Sequence, residues 1–401
     1  MYRLALFTLI LSISFIFCKN SKKEQAQSAT IVEEKAQVTN TLDISTLDYE
    51  IQEKMIDSAW QSIAAQVPKM NIKSLNKPFY KHMVGTFNGH KAVLNLSFGH
   101  FTYDGEWATD GSMYDYVENI AYTEFSRDFD TLDYLPLYFD DKTKHSYQIR
   151  GALSNNTFKG IALNTNTLQY FHVEFEAKNT EGGVDLDIEE CFKKSAYTGV
   201  KPSEDDRDFY TIYMHYNPLA KATNKPDIAQ FLNDSLRMQE DCETKCATVK
   251  KEGDTFMNKI FKDETNSRTS EYSIIENNLV VWNDDNLLVI SKFDWGNTDL
   301  LSYGGAGLWF ETYDYLNKKK LKPQDAFIGD YEQNKTLDQA ILTFLGLEEG
   351  KSLDFSDGFT SKGFYVIGSG NHGWRVTPNF IPYHIVNKFL KDDFKKQYWK
   401  K

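Results

Sequence analysis

Cysteine is scarce in this chain of 401 residues, with four in all: Cys18, Cys191, Cys242 and Cys246. Four cysteines do not make a disulfide-dense scaffold, so the body must be held by packed cores. The eight histidines are scattered, and no H-E-x-x-H, G-x-S-x-G, phosphate-cradling G-x-x-x-x-G-K-[ST] or EF-hand loop occurs. No catalytic residues, metal ligands or cofactor are therefore assigned, and three cysteines without paired histidines make a poor zinc site. Basic charge is in deficit: 45 Lys and Arg stand against 57 Asp and Glu, a formal net charge of −12. Phosphate binding needs clustered cations, so nucleic acid is excluded as a partner. Beyond the first eighteen residues no second long hydrophobic run interrupts the chain.

What is present begins with Arg3 and the almost wholly apolar run from Leu4 to Phe17, closed by Cys18. A spanning helix needs about 20 apolar residues, whereas about 7–15 behind a positive charge is the length of a secretory signal. Export is the reading favoured over an uncleaved anchor. The cysteine that closes the run resembles the lipobox of bacterial lipoproteins, although Phe15, Ile16 and Phe17 precede it where most lipoboxes have a small residue just before the cysteine. The resemblance implies that residues 1–18 are a lipoprotein-type signal peptide, that Cys18 is lipidated, and that the protein is a membrane-anchored lipoprotein of the cell envelope. Residues 19–40 hold no aromatic and cannot bury enough surface to offset their ordering entropy. They read as a tether with a reach of about 25–30 Å.

Some 28 Phe, 23 Tyr and 7 Trp provide ample area for real cores in what remains. The length predicts two or three domains. Ile51, Met55, Ile56, Trp60 and Ile63 recur at spacings of three and four, an amphipathic helix. From Phe79 to Ala177 the texture is alternating, as in "KAVLNLSF", "SYQIRGAL" and "TLQYFHVEFEA", and predicts antiparallel strands. Residues 41–180 thus read as a helix plus a β module. The acidic "NTEGGVDLDIEE" and "GVKPSEDDRD" mark a boundary region. A second unit over 205–401 opens with the strand "FYTIYMHYN", continues into a helix from Asn224, and closes with a helix over "IPYHIVNKFLKDDFKKQYW". Strands and helices do not alternate regularly, so the class is α+β. "DCETKC" places Cys242 and Cys246 four apart, within reach of a local disulfide if the turn relaxes, leaving Cys191 buried or free.

In "LLSYGGAGLWFETYDYLNKKKLKPQDAF", Leu308, Phe310 and Thr312 fall on one face of a strand, and Trp309, Glu311 and Tyr313 on the other. Gly304, Gly305 and Gly307 allow close backbone approach beside Tyr303. The order of Tyr303-Gly304-Gly305-Ala306, a strand, a turn through Lys320, Leu321, Asp325 and Phe327, and a late Ile381-Pro382-Tyr383 resembles a known C-terminal domain family. It is shared by lysozyme-binding anti-sigma factors of the RsiV type and peptidoglycan deacetylases of the PdaC type. The resemblance spans about Phe209 to Phe394, with Gly307 standing where the family has histidine. It implies an antiparallel sheet with packed helices and a binding role, with a basic protein such as lysozyme as one partner.

No paired-histidine metal signature supplies a deacetylase, and the reading of Cys18 leaves no cytoplasmic segment to hold a sigma factor. The expectation is a non-enzymatic, lipid-anchored protein that binds a protein or cell-wall ligand through Tyr303, Gly304, Gly305 and Trp309, with His372 and Trp374 in a second glycine-rich loop. Two alternatives stand beside it: an envelope glycan or peptidoglycan hydrolase using Asp and Glu carboxylates, and a purely structural lipoprotein. Asp104, Glu106 and Asp110 read as a solvated hairpin before a calcium loop.

Overall fold

Alternating side chains and tight reversals build the first sheet. The computed structural model describes residues 49–64, 77–87, 89–100, 107–115, 135–140, 147–154, 156–164, 167–177, 183–199, 208–222, 226–262, 271–297, 305–348, 353–368 and 377–400. Strands β1 (Phe79–Phe87), β2 (His90–His100), β3 (Trp107–Asp115), β4 (Leu135–Asp140), β5 (Tyr147–Ser154), β6 (Thr157–Asn164) and β7 (Gln169–Ala177) pair wholly antiparallel in the order β3-β2-β1-β7-β6-β5-β4. Gly89, at φ 78°, supplies the left-handed residue of the β1–β2 reversal. Met83, Phe87, Leu94, Leu96, Phe98, Ile149, Phe158 and Phe175 form its core. Helix α1 (Tyr49–Ala64) buries Ile56 and Trp60 and packs on β5 and β6.

The second sheet is larger: β8 (Leu186–Ala196), β9 (Tyr210–Ala220), β10 (Glu271–Asn283), β11 (Leu287–Asn297), β12 (Gly305–Asp314), β14 (Leu353–Phe359), β15 (Gly363–Gly368) and β16 (Thr377–Pro382), with the short β13 (Lys319–Leu321) paired to β12. Its order is β16-β15-β14-β12-β11-β10-β9-β8. Two steps are parallel, β9 to β10 and β12 to β14. The fold is α+β. The first crossover carries α2 (Pro226–Leu236) and α3 (Cys242–Lys262). Helix α2 sets Ile228, Ala229, Leu232 and Leu236 against Val280, Leu288, Ile290 and Tyr313. Helix α3 sets Val249, Phe256, Met257 and Ile260 against Cys191, Tyr213 and Tyr272. Beyond β12 the chain adds α4 (Pro323–Ala326), α5 (Lys335–Leu345), α6 (Tyr383–Val386) and α7 (Asp392–Tyr398), around an aromatic core of Phe310, Phe327, Phe359, Phe364, Tyr365, Tyr383 and Phe394.

Three sequence expectations are corrected. Within the supposed boundary region, residues 186–196 form β8, which pairs with β9 along its whole length. Its acidic residues hide the alternation. The stretch after α2, for which the sequence suggested no element, is the 21-residue helix α3, whose narrow stripe of Cys246, Val249, Gly253, Phe256, Met257 and Ile260 is diluted by lysines and acids. The single C-terminal helix is broken into α6, a 3-10 turn (Asn387–Phe389) and α7, because Leu390 bridges to Phe327 and the Lys391 N–H donates to Ala326 O at 2.8 Å.

The two sheets meet through polar and aromatic contacts. The Tyr216 hydroxyl donates to Phe79 O at 3.0 Å, and Asn283 Nδ2 donates to the Tyr80 hydroxyl at 3.1 Å. The His100 ring stacks on Phe192 at 4.4 Å, while its backbone N–H donates to Glu190 Oε1 at 2.7 Å. Residues 44–401 cluster as one compact unit.

Candidate functional site

Helices α2 and α3 leave part of the second sheet uncovered, and strand register decides which side chains emerge there. On the helix-bearing face Cys191 pairs with His215, His215 with Glu276, Glu276 with Asp294, and Asp294 with Gly307. One row therefore crosses five strands, with polar side chains on the middle three, His215, Glu276 and Asp294. A neighbouring row sets Asn278 beside Lys292 and Lys292 beside Trp309, and Glu311 pairs across the parallel step with Asp357.

The row is electrostatically differentiated. His215 is 5% exposed, and its Nδ1 lies 3.5 Å from Glu276 Oε2. That imidazole, against the opposing effect of burial and helped by Lys245 and the Tyr213 hydroxyl, holds the Glu276 carboxyl below the usual range. Tyr213 donates to Glu276 Oε2 at 3.0 Å. Across the next strand Asp294, though still exposed at the sheet surface, is pushed the other way: partial loss of solvent, then repulsion from Glu276, raises its carboxyl, with Lys292 and His215 opposing. Directly opposed residues on antiparallel strands have Cβ atoms about 4.5–5.5 Å apart, so these are two close carboxyls with divided protonation preference.

A second pair repeats the division. Lys292 Nζ lies 2.9 Å and Lys320 Nζ 2.5 Å from the Glu311 carboxylate, which also accepts from the Tyr313 hydroxyl. Burial alone would raise Glu311, but these bonds outweigh it and hold the group low. Asp357 is raised by burial, with Lys320 and Lys322 opposing and Glu311 reinforcing.

Trp309 stands between the two pairs. Trp60 and Trp282 are buried, whereas Trp309 is 36% exposed on a strand whose opposite face, through Phe310 and Thr312, is fully buried. The alternation expected for Leu308 to Tyr313 is observed. A Cβ added at Gly307 would lie 3.2 Å from the Trp309 ring. The indole thus lies beside the space that a side chain at 307 would need.

Of the residues singled out in the sequence, Gly305 opens β12 and Trp309 lies on its uncovered face. Tyr303, Gly304, His372, Trp374 and Cys18 lie outside the described residues, as do Asp104 and Glu106; Asp110 is in β3. The expected Cys242–Cys246 disulfide is corrected: Cys191 of β8 is bonded to Cys242, with Cα atoms 5.6 Å apart, and Cys246 is a buried free thiol. Two cysteines one turn apart on a continuous helix project side by side and would have to unwind that turn to bond, whereas β8 presents Cys191 to the helix face. Sequence reasoning missed His215, Glu276, Asp294, Lys292, Glu311 and Asp357. They come from six positions on five strands, and their only sequence signal is a polar residue where an apolar one is due on a strand otherwise buried.

No family model matches the chain, and no curated protein matches it. Among solved structures it is similar to a member of the DUF3298 family from Bacteroides fragilis, at 14% identity and a TM-score of 0.37, covering 54% of this chain and 98% of that one. A DUF3298 family protein from Pseudomonas aeruginosa is similar at 13% identity and a TM-score of 0.33, covering 52% and 95%. Both neighbours are bacterial and belong to a domain-of-unknown-function family. What this chain does has to be argued from its own residues.

Proposed function

We propose that this is a non-catalytic binding protein of the bacterial cell envelope, held to a membrane by lipid on Cys18, which engages a protein or cell-wall ligand through the uncovered face of its second sheet. The observation that carries the reading is Trp309, an exposed indole on a rigid strand, flanked by Lys292 and the Glu311 ion pairs on one side and by Glu276 and Asp294 on the other. A large aromatic anchor inside a ring of charge is the composition of a binding hot spot. The net charge of −12 favours encounter with a basic partner, and a basic lysozyme is the probe that the family resemblance suggests. Calorimetric titration of the purified protein with lysozyme is expected to give 1:1 binding, micromolar or tighter, that survives about 150 mM salt. Trp309→Ala is expected to weaken it by about thirtyfold or more, the loss of one hot-spot residue. Binding that vanishes with salt, or that ignores Trp309, overturns lysozyme as the ligand of this face.

The divided Glu276 and Asp294 pair favours a second reading, hydrolysis of an envelope glycan. In that reading Asp294, whose carboxyl is raised, is the acid, and Glu276, whose carboxyl is lowered, is the base or nucleophile. Release of soluble sugar from peptidoglycan by the wild type, abolished in Asp294→Asn, would establish it. No release at all removes it.

A further inference from the structure

At the end of the polar row the three cysteines of the folded body converge. Cys246 Sγ lies 3.4 Å from Cys191 Sγ and 3.9 Å from Cys242 Sγ, and the three sulfurs lie within 4.8 Å of one another. Cys191 and Cys246 are buried, and Cys242 is half-buried. Cys246 stands beside the Cys191–Cys242 bond, nearly as close to one sulfur as to the other. Displacement within a disulfide requires approach along the S–S axis, so the arrangement is poorly set for internal thiol exchange. It is well set for something else. A thiolate-bound metal with bonds of about 2.3 Å holds its sulfurs about 3.8–4.0 Å apart; the 3.9 Å between Cys246 and Cys242 already matches, the 3.4 Å between Cys246 and Cys191 is somewhat short, and reduction lets Cys191 and Cys242 part.

We propose that the reduced form of this triad is a site for a soft monovalent metal ion, copper(I), held by the thiolates of Cys191, Cys242 and Cys246. Thiolates select soft ions, whereas structural zinc takes four ligands; among the described residues the group has three members. Burial of two of them excludes water from the inner side, and half-exposed Cys242 gives the path of entry. Cys242 is also the first residue of the 21-residue α3, where the positive end of the helix dipole favours a thiolate. Lys193, two residues along β8 from Cys191 and on the same face, offsets part of the negative charge of a tris-thiolate complex. Loading needs a dithiol reductant. Two electrons and two protons pass from the dithiol to the Cys191–Cys242 bond, which breaks to two thiols while the dithiol closes to its own disulfide. Copper(I) then displaces one proton from each of three thiols, with no further change of oxidation state.

The test is a competition titration of the full chain with copper(I) bicinchoninate under anaerobic conditions, after reduction with dithiothreitol and its removal. A parallel series in a Cys18→Ser background keeps the fourth cysteine out of the count. One equivalent is expected to bind to the reduced chain, with a near-ultraviolet thiolate charge-transfer band, and none to the oxidised chain. Copper(I) is also expected to raise the melting temperature of the reduced chain. Cys246→Ser keeps the disulfide partners and is expected to fold when oxidised, yet after reduction to bind at least about a hundredfold more weakly, since even outer-shell losses cost about 10–100-fold. Equal binding by oxidised and reduced protein, wild-type affinity in Cys246→Ser, zinc(II) taken up in preference to copper(I), or a reduced chain that unfolds before it binds would each overturn the site.

Discussion

Single residues show how closely the elements of the second sheet approach. Gly253 lies in the middle of α3, where glycine costs about 1 kcal/mol relative to alanine, and it faces β9: an added Cβ would lie 2.2 Å from the Thr211 hydroxyl oxygen. Thr211 is itself buried. Forcing a methyl into such a contact costs about 1–3 kcal/mol, which outweighs the gain in helix propensity. Gly253→Ala is expected to destabilise by up to about 2 kcal/mol, read as a lower urea midpoint at unchanged slope. Glu311 gives a prediction with a pH sign. Its folded pKa is depressed, so the stability it contributes is present above its unfolded pKa, about 4.3, and is lost as pH falls through the lower folded value. Glu311→Gln is expected to cost about 1–2 kcal/mol near neutral pH. That deficit shrinks toward zero on acidification below the ordinary carboxylate range, as urea unfolding at a series of pH values would record. A deficit that is constant with pH would mean that the ion pairs with Lys292 and Lys320 contribute nothing.

At the level of elements, the bond between β8 and α3 is the tie that sequence spacing misassigned. Cys191 and Cys242 are 51 residues apart, a span whose closure entropy corresponds to about 4 kcal/mol in the chain-entropy model, with about 2–4 kcal/mol usually realised. Reduction, or Cys191→Ser, is expected to lower unfolding stability by about that amount, while Cys246→Ser in the oxidised protein leaves it nearly unchanged. A larger loss in Cys246→Ser than in Cys191→Ser would contradict the pairing. Elements with strong periodicity were legible: α1, α2, β2, β5, β7, β9 and the alternation of β12 follow from their apolar spacing. Elements whose apolar stripe is one residue wide were not. Helix α3 shows polar residues over most of its circumference, and β8 buries Leu186 and Cys191 among acids and lysines. The candidate site was half legible, since Trp309 and the small residue at 307 announce themselves locally. Its charged residues meet only after β9, β10, β11, β12 and β14 are in register, and no local period encodes that register.

For the molecule as a whole, the two sheets make contacts that no single strand announces. Among the described residues that join the sheets are Tyr80, His100, Glu190, Tyr216 and Asn283, polar or amphipathic side chains that read as surface in any single strand. Attachment of that body to a membrane is a separate matter. Among the described residues no helix is long and apolar enough to cross a bilayer. The apolar run from Leu4 to Phe17 is itself shorter than the roughly 20 residues that a span requires. If lipid on Cys18 is the anchor, removing the acylation site removes the buried methylenes that supply its membrane affinity, each worth about 0.8 kcal/mol. Cys18→Ala is then expected to move the protein from the membrane fraction to the soluble fraction, or to leave an unprocessed precursor of higher mass, with the fold of the body unchanged by circular dichroism. A processed Cys18→Ala protein that still fractionates wholly with membranes would show that the body binds the membrane or an envelope component by its own surface. Adding Trp309→Ala to that variant would then tell whether the uncovered face of the second sheet is the surface responsible.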